Sequence, residues 1–267
     1  MTTRIIHGDS AKELSMLPSQ SVELVVTSPP YDDIRSYGNG HGKCDWSFEG
    51  TASGIQKVLV EGGVCCWVVN DQVVDGSETL TSCKQKIFFR EVLGMRIHDT
   101  MIYRKKNFSH PERSRYHQVF EYVFVFSKGQ PRCFNPLMDR KNLTAGCVGN
   151  LGVNTFTERD GSKSVRAKKV TKEFGMRHNV WEGLTRGQEE MCVELSHPAM
   201  MPKWLARDLI LSFSNHGDTV LDPMFGSGTV LTEAVKAGRD AIGIESNSDY
   251  VGQLQRIEEA CEREEGV

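Results

Sequence analysis

The chain has 267 residues, with 32 Lys and Arg against 35 Asp and Glu and a net charge of -3. That length holds one main domain plus a small appended module, and the balanced charge excludes a polycation, so any nucleic-acid partner must be met by a local basic patch. The eight cysteines show no Cys-x-x-Cys pair or regular spacing, and no signal peptide or membrane-length apolar run is seen; a soluble, cytoplasmic protein with reduced thiols, no metal site and no membrane partner is expected.

Residues 4–7 read as a short strand. Gly8-Asp9-Ser10 turns it into a helix over about 11–17, with Ser10 as N-cap. The apolar residues 22–26 then form a strand that runs into Thr27-Ser28-Pro29-Pro30-Tyr31. Two prolines lack amide donors and fix φ, so the chain leaves the sheet rigidly there. The Ser28 hydroxyl, the carbonyls of Ser28 and Pro29 and the Tyr31 ring are thereby clustered at a carboxyl strand end, where open α/β sheets bind ligands. Two acceptors and a stacking face suit a planar ring bearing an amino group. A plain Pro-Pro turn with a packed tyrosine is the competing reading of the same residues.

Residues 32–50 lack any sustained period and are expected to form a mobile loop beside this turn. A weak helix over 51–61, ended by Gly62-Gly63, precedes a buried parallel strand at 64–69 with Asn70-Asp71 at its end. A helix at 79–93 and strands at 95–103 and 119–126 follow. Between the last two lies a basic segment interleaved with aromatics, containing Arg104, Lys105, Lys106, Arg113, Arg115 and Tyr116. It fits a solvated loop and a phosphate-contacting loop about equally. Residues 135–190 are rich in Gly, Asn, Thr, Lys and Arg, include Lys168 and Lys169, and read as a small irregular insertion tied back at Asn179-Val180-Trp181.

A helix to about residue 212 follows His197-Pro198-Ala199-Met200-Met201-Pro202-Lys203. A strand at 218–221 then meets Asp222-Pro223-Met224-Phe225-Gly226-Ser227-Gly228-Thr229, followed by a helix, a strand at 240–244, Glu245 and a charged last helix. Strand, Gly-x-Gly turn, helix, strand and acidic residue form the arrangement that holds an adenosine-containing cofactor. The third glycine of a phosphate fingerprint is missing, and Asp222 would repel a pyrophosphate but attract a cation. S-adenosylmethionine, with its ammonium and sulfonium, fits.

The motifs Thr27-Ser-Pro-Pro-Tyr31, His197-Pro-x-x-x-Pro-Lys203 and Asp222-Pro-x-x-Gly-Ser-Gly-Thr229, in that order, resemble the permuted β class of amino-methylating DNA methyltransferases. The resemblance covers about residues 4–134 and 179–250. It implies a Rossmann-like seven-stranded α/β methyltransferase sheet whose catalytic half is 1–134 and whose cofactor half is 179–267. Residues 135–178 fall where the family carries a target-recognition region. Ser28, Pro29, Pro30 and Tyr31 would be catalytic. Asp222, Phe225, Gly226 and Gly228 would hold the methionine end of S-adenosylmethionine, Glu245 its ribose and Asp9 its adenine, with Thr27, Pro223, Ser227 and Thr229 as further cofactor contacts and His197 and Lys203 in the segment that closes the pocket. Met224 departs from the more usual second aromatic or small apolar residue. The implied partner is DNA, contacted by the basic residues above; a homodimer and a cognate restriction endonuclease are further candidates.

The exocyclic amino group of a base is a poor nucleophile because its lone pair is delocalised into the ring. Accepting its N–H bonds at the Ser28 hydroxyl and the Pro29 carbonyl would free the lone pair of a flipped-out base for in-line attack on the sulfonium methyl. By the same resemblance, Ser in the first motif position is similar to cytosine-N4 enzymes, whereas Asp is usual for adenine N6, and the implied target is cytosine N4 ahead of adenine N6. Carbon-5 chemistry would need a Pro-Cys nucleophile, which the sequence lacks. A methyltransferase of RNA or protein amides would instead carry an Asn-Pro-Pro-Tyr motif, and an idle DNA-binding module would not need both cofactor acids.

Overall fold

The computed structural model describes residues 1–30, 46–107, 114–147, 154–166, 170–185 and 200–252. They fall into two compact units, one of Met1–Asn135 with Asn179–Val267 and one of Pro136–His178.

In the first unit the elements run β1 (Thr3–His7), α1 (Ser10–Met16), β2 (Val22–Thr27), α2 (Phe48–Val58), β3 (Leu59–Val69), α3 (Thr81–Ile87, continued by a π turn at Phe88–Val92), β4 (Arg96–Lys105), β5 (Phe120–Ser127), β6 (Val180–Gly183), α4 (Lys203–Phe213), β7 (Thr219–Asp222), α5 (Thr229–Lys236) and β8 (Asp240–Glu245). The strands form an eight-stranded sheet in the order β1-β8-β7-β2-β3-β5-β4-β6. The first five are parallel; β5 runs antiparallel between β3 and β4, and β6 lies parallel to β4 at the edge. This is the methyltransferase sheet with one strand beyond the seven expected. The extra strand arises because Val180–Gly183 pairs residue for residue with Ile102–Lys105. Among the described residues, no helix is long and apolar enough to cross a membrane.

Alternation along the strands fills two layers. Val25, Cys65, Trp67, Val69, Phe124 and Phe126 belong to one cluster with Leu14, Ile55, Val58 and Phe89 of the α1, α2 and α3 side. Their neighbours Leu24, Val26, Cys66, Val68, Val123 and Val125 are equally buried but outside that cluster, and α4 and α5, which pack on β2, β7 and β8, bury Leu205, Leu209, Ile210 and Leu231. Phe89 stacks on Phe126 at 4.3 Å. The one polar edge of buried Trp67 is satisfied, its Nε1–H donating to Gln85 Oε1 at 2.8 Å; left unpaired, that group would carry a desolvation cost of about 1–3 kcal/mol.

Three local expectations are corrected. Gly62-Gly63 does not end a helix: α2 stops at Val58, and the glycines sit inside β3 at an irregularity opposite Val22 and Leu24. The Gly62 amide bonds Lys128 O at 2.6 Å with φ at 77°, which a side chain would resist. The N-cap of α1 is Asp9, whose carboxylate accepts from the Lys12 amide, and Ser10 is the first helical residue. Phe48–Gly50, expected in a loop, open α2 behind a Ser47 cap; residues 32–45 lie outside the described residues.

In the second unit, Arg140–Lys141 pairs antiparallel with Phe174–Gly175, and Asn154–Thr157 with Lys163–Arg166. An Asp139–Arg177 ion pair and an Arg140 Nε bond to Met176 O at 2.9 Å close its base.

Gly243 on β8 gives the clearest packing test. A Cβ there would stand 2.5 Å from Phe225 Cδ1 and 2.6 Å from Leu231 Cδ2, so Gly243→Ala forces the Phe225 ring off the strand. We expect a loss of about 1–3 kcal/mol by urea denaturation, with the Phe225-Gly226 turn displaced along with the ring.

Candidate functional site

The site lies where the sheet order switches direction. From β7 the chain proceeds to β8 on one side, and from β2 to β3 on the other, so the crevice opens between the carboxyl ends of β7 and β2. These strands pair only through Val220–Leu24 and Leu221–Val25. Beyond that register the two strands no longer pair, although β2 runs on beside β3 to Thr27 before Pro29 and Pro30 end it. Across the opening, the Thr27 hydroxyl donates to Asp222 Oδ1 at 2.8 Å, and both residues are buried, at 0% and 4% exposure.

The amides of the turn after Asp222 are held by the Asp222 side chain and by the end of β8. The Met224 amide returns to Asp222 Oδ1 at 3.1 Å, and the Phe225 amide reaches Ile244 O at 3.2 Å. Gly226 and Gly228 have φ of 50° and 74°, left-handed values that favour glycine. Gly226 donates its amide to Glu245 Oε2 at 3.0 Å, and Gly228 begins α5 as its N-cap. Ser227 and Thr229 share a hydroxyl bond at 3.0 Å. From α1, the Ser10 hydroxyl donates to Pro223 O at 2.6 Å and ties the first helix to this turn. The other oxygen of Glu245 accepts the Asn247 amide at 2.9 Å, so its carboxylate is fixed at both ends while lone pairs remain for further donors.

These elements enclose an open cavity of about 930 Å³, solvent at its mouth included. Its lining combines Asp9, Ser10, Ser28, Pro30, Trp46, Met201, Asp222, Met224, Phe225, Gly226, Ser227, Thr229, Val230, Glu245, Ser246, Asn247 and Tyr250. Among the described residues, three carboxylates stand in this lining, and no Lys, Arg or His. Burial pushes the Asp222 carboxyl up from 3.8 to about 7; the Thr27 and Met224 bonds oppose the rise and Glu245 adds to it. A buried carboxylate lifted this far gains from a cationic ligand that restores its charge. The donor set therefore fits a cationic amino-acid moiety joined to hydroxyl-bearing and apolar parts, and does not fit a pyrophosphate.

Of the residues singled out from the sequence, the cavity gathers Asp9, Ser28, Pro30, Asp222, Phe225, Gly226, Ser227, Thr229 and Glu245. Thr27, Pro29, Pro223, Gly228 and Lys203 do not line it: Thr27 and Pro29 are buried behind it, the Pro223 carbonyl serves Ser10, Gly228 caps α5, and Lys203 is exposed at the start of α4. The Phe225 ring is itself buried against Gly243 and Leu231, so its share of the wall is small. Tyr31, His197, Arg113, Lys168 and Lys169 lie outside the described residues. Sequence reasoning did not place Ser10, Trp46, Met201, Met224, Val230, Ser246, Asn247 or Tyr250 in the site. Met201 sits between His197 and Lys203 and Asn247 two residues after Glu245, so proximity was a signal for both; Trp46, which packs on Trp67 at 6.4 Å, carried none.

Residues 108–113 of the basic segment lie outside the described residues, and the cations described on either side of them have partners. Arg104 and Lys105 are the last residues of β4. Arg104 forms an ion pair with Glu182, to which Lys106 also comes within 4.0 Å; Lys105 pairs with Glu121 at 2.6 Å. Arg115 donates to Gly76 O at 2.7 Å, and the adjoining Tyr116 is fully exposed.

Residues 22–256 match the family of N6 and N4 methyltransferases described as DNA methylase. The orphan methyltransferase M.BamHII of Bacillus amyloliquefaciens is 44% identical over 234 residues, 86% of each chain. The DNA adenine methyltransferase YhdJ of Escherichia coli strain K12 is 27% identical, over 96% of this chain and 83% of its own. Among solved structures, the cytosine-N4-specific PvuII DNA methyltransferase shares the fold, with a TM-score of 0.66 over 94% of this chain and 84% of that one at 16% identity. The chain belongs to the DNA methylase family and is an S-adenosylmethionine-dependent DNA methyltransferase of the cytosine-N4 or adenine-N6 type.

Proposed function

We propose that the chain methylates the exocyclic N4 of cytosine in DNA, on a base turned out of the duplex into the cavity between β7 and β2. One observation carries the reading: Ser28 and Pro30 share a single cavity with Asp222, Gly226 and Glu245. Asp222 and the backbone of Phe225 and Gly226 would hold the methionine end of the cofactor, Glu245 its ribose hydroxyls and Asp9 its adenine. When bound, S-adenosylmethionine supplies an electrophilic methyl on a sulfonium. Ser28 Oγ and the Pro29 carbonyl accept the amino N–H bonds of the base, which favours pyramidal nitrogen and frees its lone pair. Trp46 and Pro30 give the base apolar walls, and such contacts offset the few kcal/mol that unstacking costs. The 135–178 segment serves as the target-recognition region between the catalytic and cofactor halves.

Cytosine is favoured by Ser28 in the first motif position. Adenine N6 is the second reading, favoured by the relative YhdJ, which is named a DNA adenine methyltransferase. Incubating the purified chain with unmethylated DNA and analysing the nucleosides by mass spectrometry decides between them: N4-methylcytosine is expected, and N6-methyladenine alone would replace the first reading with the second. Ser28→Ala should lower kcat by about a hundredfold or more while leaving the cofactor Kd within about twofold; a matching loss of cofactor affinity would contradict the role given to Ser28.

The Asp222 carboxyl supports a pH prediction. Its folded value, about 7, lies above the ordinary 3.8, so ionisation works against the unliganded fold. That cost is absent below about pH 4, grows between the two values and is complete above 7, at most about 4 kcal/mol. A cationic cofactor selects the ionised form, so affinity should fall as pH drops through 7, approaching tenfold per unit below it. Asp222→Asn should raise the Tm of the unliganded protein more at pH 8 than at pH 5 and weaken cofactor binding at least about tenfold. Calorimetric titration and thermal scans at both pH values measure the two effects, and an unchanged cofactor Kd would remove Asp222 from the pocket.

A further inference from the structure

We propose that Thr27 is a positioning residue that couples the two halves of the site: its hydroxyl, donated to Asp222, holds the cofactor carboxylate of β7 at a fixed offset from the catalytic turn of β2. The inference rests on the methyltransferase reading above and goes beyond it, since Thr27 does not line the cavity and acts through Asp222.

Three observations meet at this bond. First, the backbone ladder between β2 and β7 ends at Leu221–Val25, one residue before Asp222, while Asp222 and Thr27 remain paired to β8 and β3 on their outer sides. The 2.8 Å side-chain bond is the next link across the gap, between residues 195 apart in the chain. Second, Thr27 is fully buried and Asp222 nearly so, and a hydrogen bond to a buried charged group is among the stronger ones. Third, Thr27 is followed directly by Ser28, whose peptide leads into Pro29 and Pro30, so the torsional freedom between the hydroxyl anchor and the acceptors of the turn is small.

The bond also acts on protonation. The groups facing Asp222 are acids or neutral donors: Glu245 from β8, Asp9 from the start of α1, and the Met224 amide of its own turn. On α5, Glu233 and Lys236 pair with each other at 3.6 Å. Among the described residues no cation on these elements holds Asp222 ionised, and the Thr27 hydroxyl is the largest influence opposing the effect of burial. Removing it leaves the carboxyl both looser and more readily protonated, hence a poorer receptor for a cation.

The test uses the full chain with Thr27→Val, which keeps the shape and loses the hydroxyl, and Thr27→Ser, which keeps the hydroxyl. S-adenosylmethionine binding is followed by calorimetry from pH 5.5 to 8.5, and methyl transfer to DNA is assayed at saturating cofactor. Thr27→Val should weaken binding about tenfold at pH 7, move the pH midpoint of binding upward and lower kcat at saturation, and Thr27→Ser should restore all three. If Val is not tolerated, Thr27→Ala against Thr27→Ser makes the same comparison with the methyl lost from both. A lower Tm with an unmoved pH midpoint and unchanged Kd would mean that Thr27 only packs, and would overturn the proposal. Transfer to adenine by the parent chain would sink the cytosine reading and leave the Thr27 coupling standing; parity of the hydroxyl-free variant with the parent would do the reverse.

Discussion

The structure turns on one buried carboxylate. Asp222 stands at 4% exposure at the end of β7, with one oxygen shared between the Thr27 hydroxyl and the Met224 amide. Burying an ionisable group without a countercharge is unfavourable, and here the fold retains it at the mouth of a cavity lined by two further acids. Such an arrangement is poorly explained by stability, because an apolar residue would pack there at lower cost. It is well explained by a ligand that brings the missing positive charge. The strands, the left-handed glycines and the Ser10 bond to Pro223 then read as the means of holding that carboxylate where a cation can reach it.

Chain order matters little to this geometry. The cofactor turn and the catalytic turn come from opposite ends of the sequence, yet five parallel strands bring the ends of β1, β8, β7 and β2 to the same edge. Pairing of β1 with β8 closes the permutation: the Gly8 amide continues the ladder onto Glu245 O at 2.9 Å, and His7 reaches Ser246 O. Asp9 is carried to the cavity by that pairing. A sheet of this order fixes its site by lateral neighbours, so either half of the chain can come first without disturbing the crevice.

Much of this was legible before the structure because local chemistry dictated it. Proline pairs end ladders, Gly-x-Gly turns need left-handed φ, and acids at strand ends point to a ligand edge; Ser28, Asp222, Gly226 and Glu245 all followed from such rules. What escaped was set by distant contacts. Trp46 reaches the cavity through an aromatic cluster with Phe48 and Trp67, and no short-range pattern announces that. Gly62-Gly63 looked like a helix stop because a bulge and a stop use the same residues, and only pairing with β2 and β5 distinguishes them. Thr27 was grouped with the pocket because it adjoins the motif, whereas its hydroxyl points across the crevice to Asp222.

The basic segment shows how pairing refines a charge count. Arg104 and Lys106 are about half exposed, and their partner Glu182 is 40% exposed. Exposed ion pairs of this kind contribute about 0–1 kcal/mol, so a DNA phosphate can take either cation from Glu182 at little cost, and the released counterions favour the exchange. Lys105 differs. It and Glu121 are 21% and 13% exposed, and they join adjacent strands at 2.6 Å. Drawing Lys105 out to a phosphate would strand the Glu121 carboxylate beside Tyr103, whose phenol is already held well above its ordinary value by burial and by that same acid. Of three consecutive cations, the outer two are therefore suited to meet a nucleic-acid backbone, while the middle one belongs to the sheet.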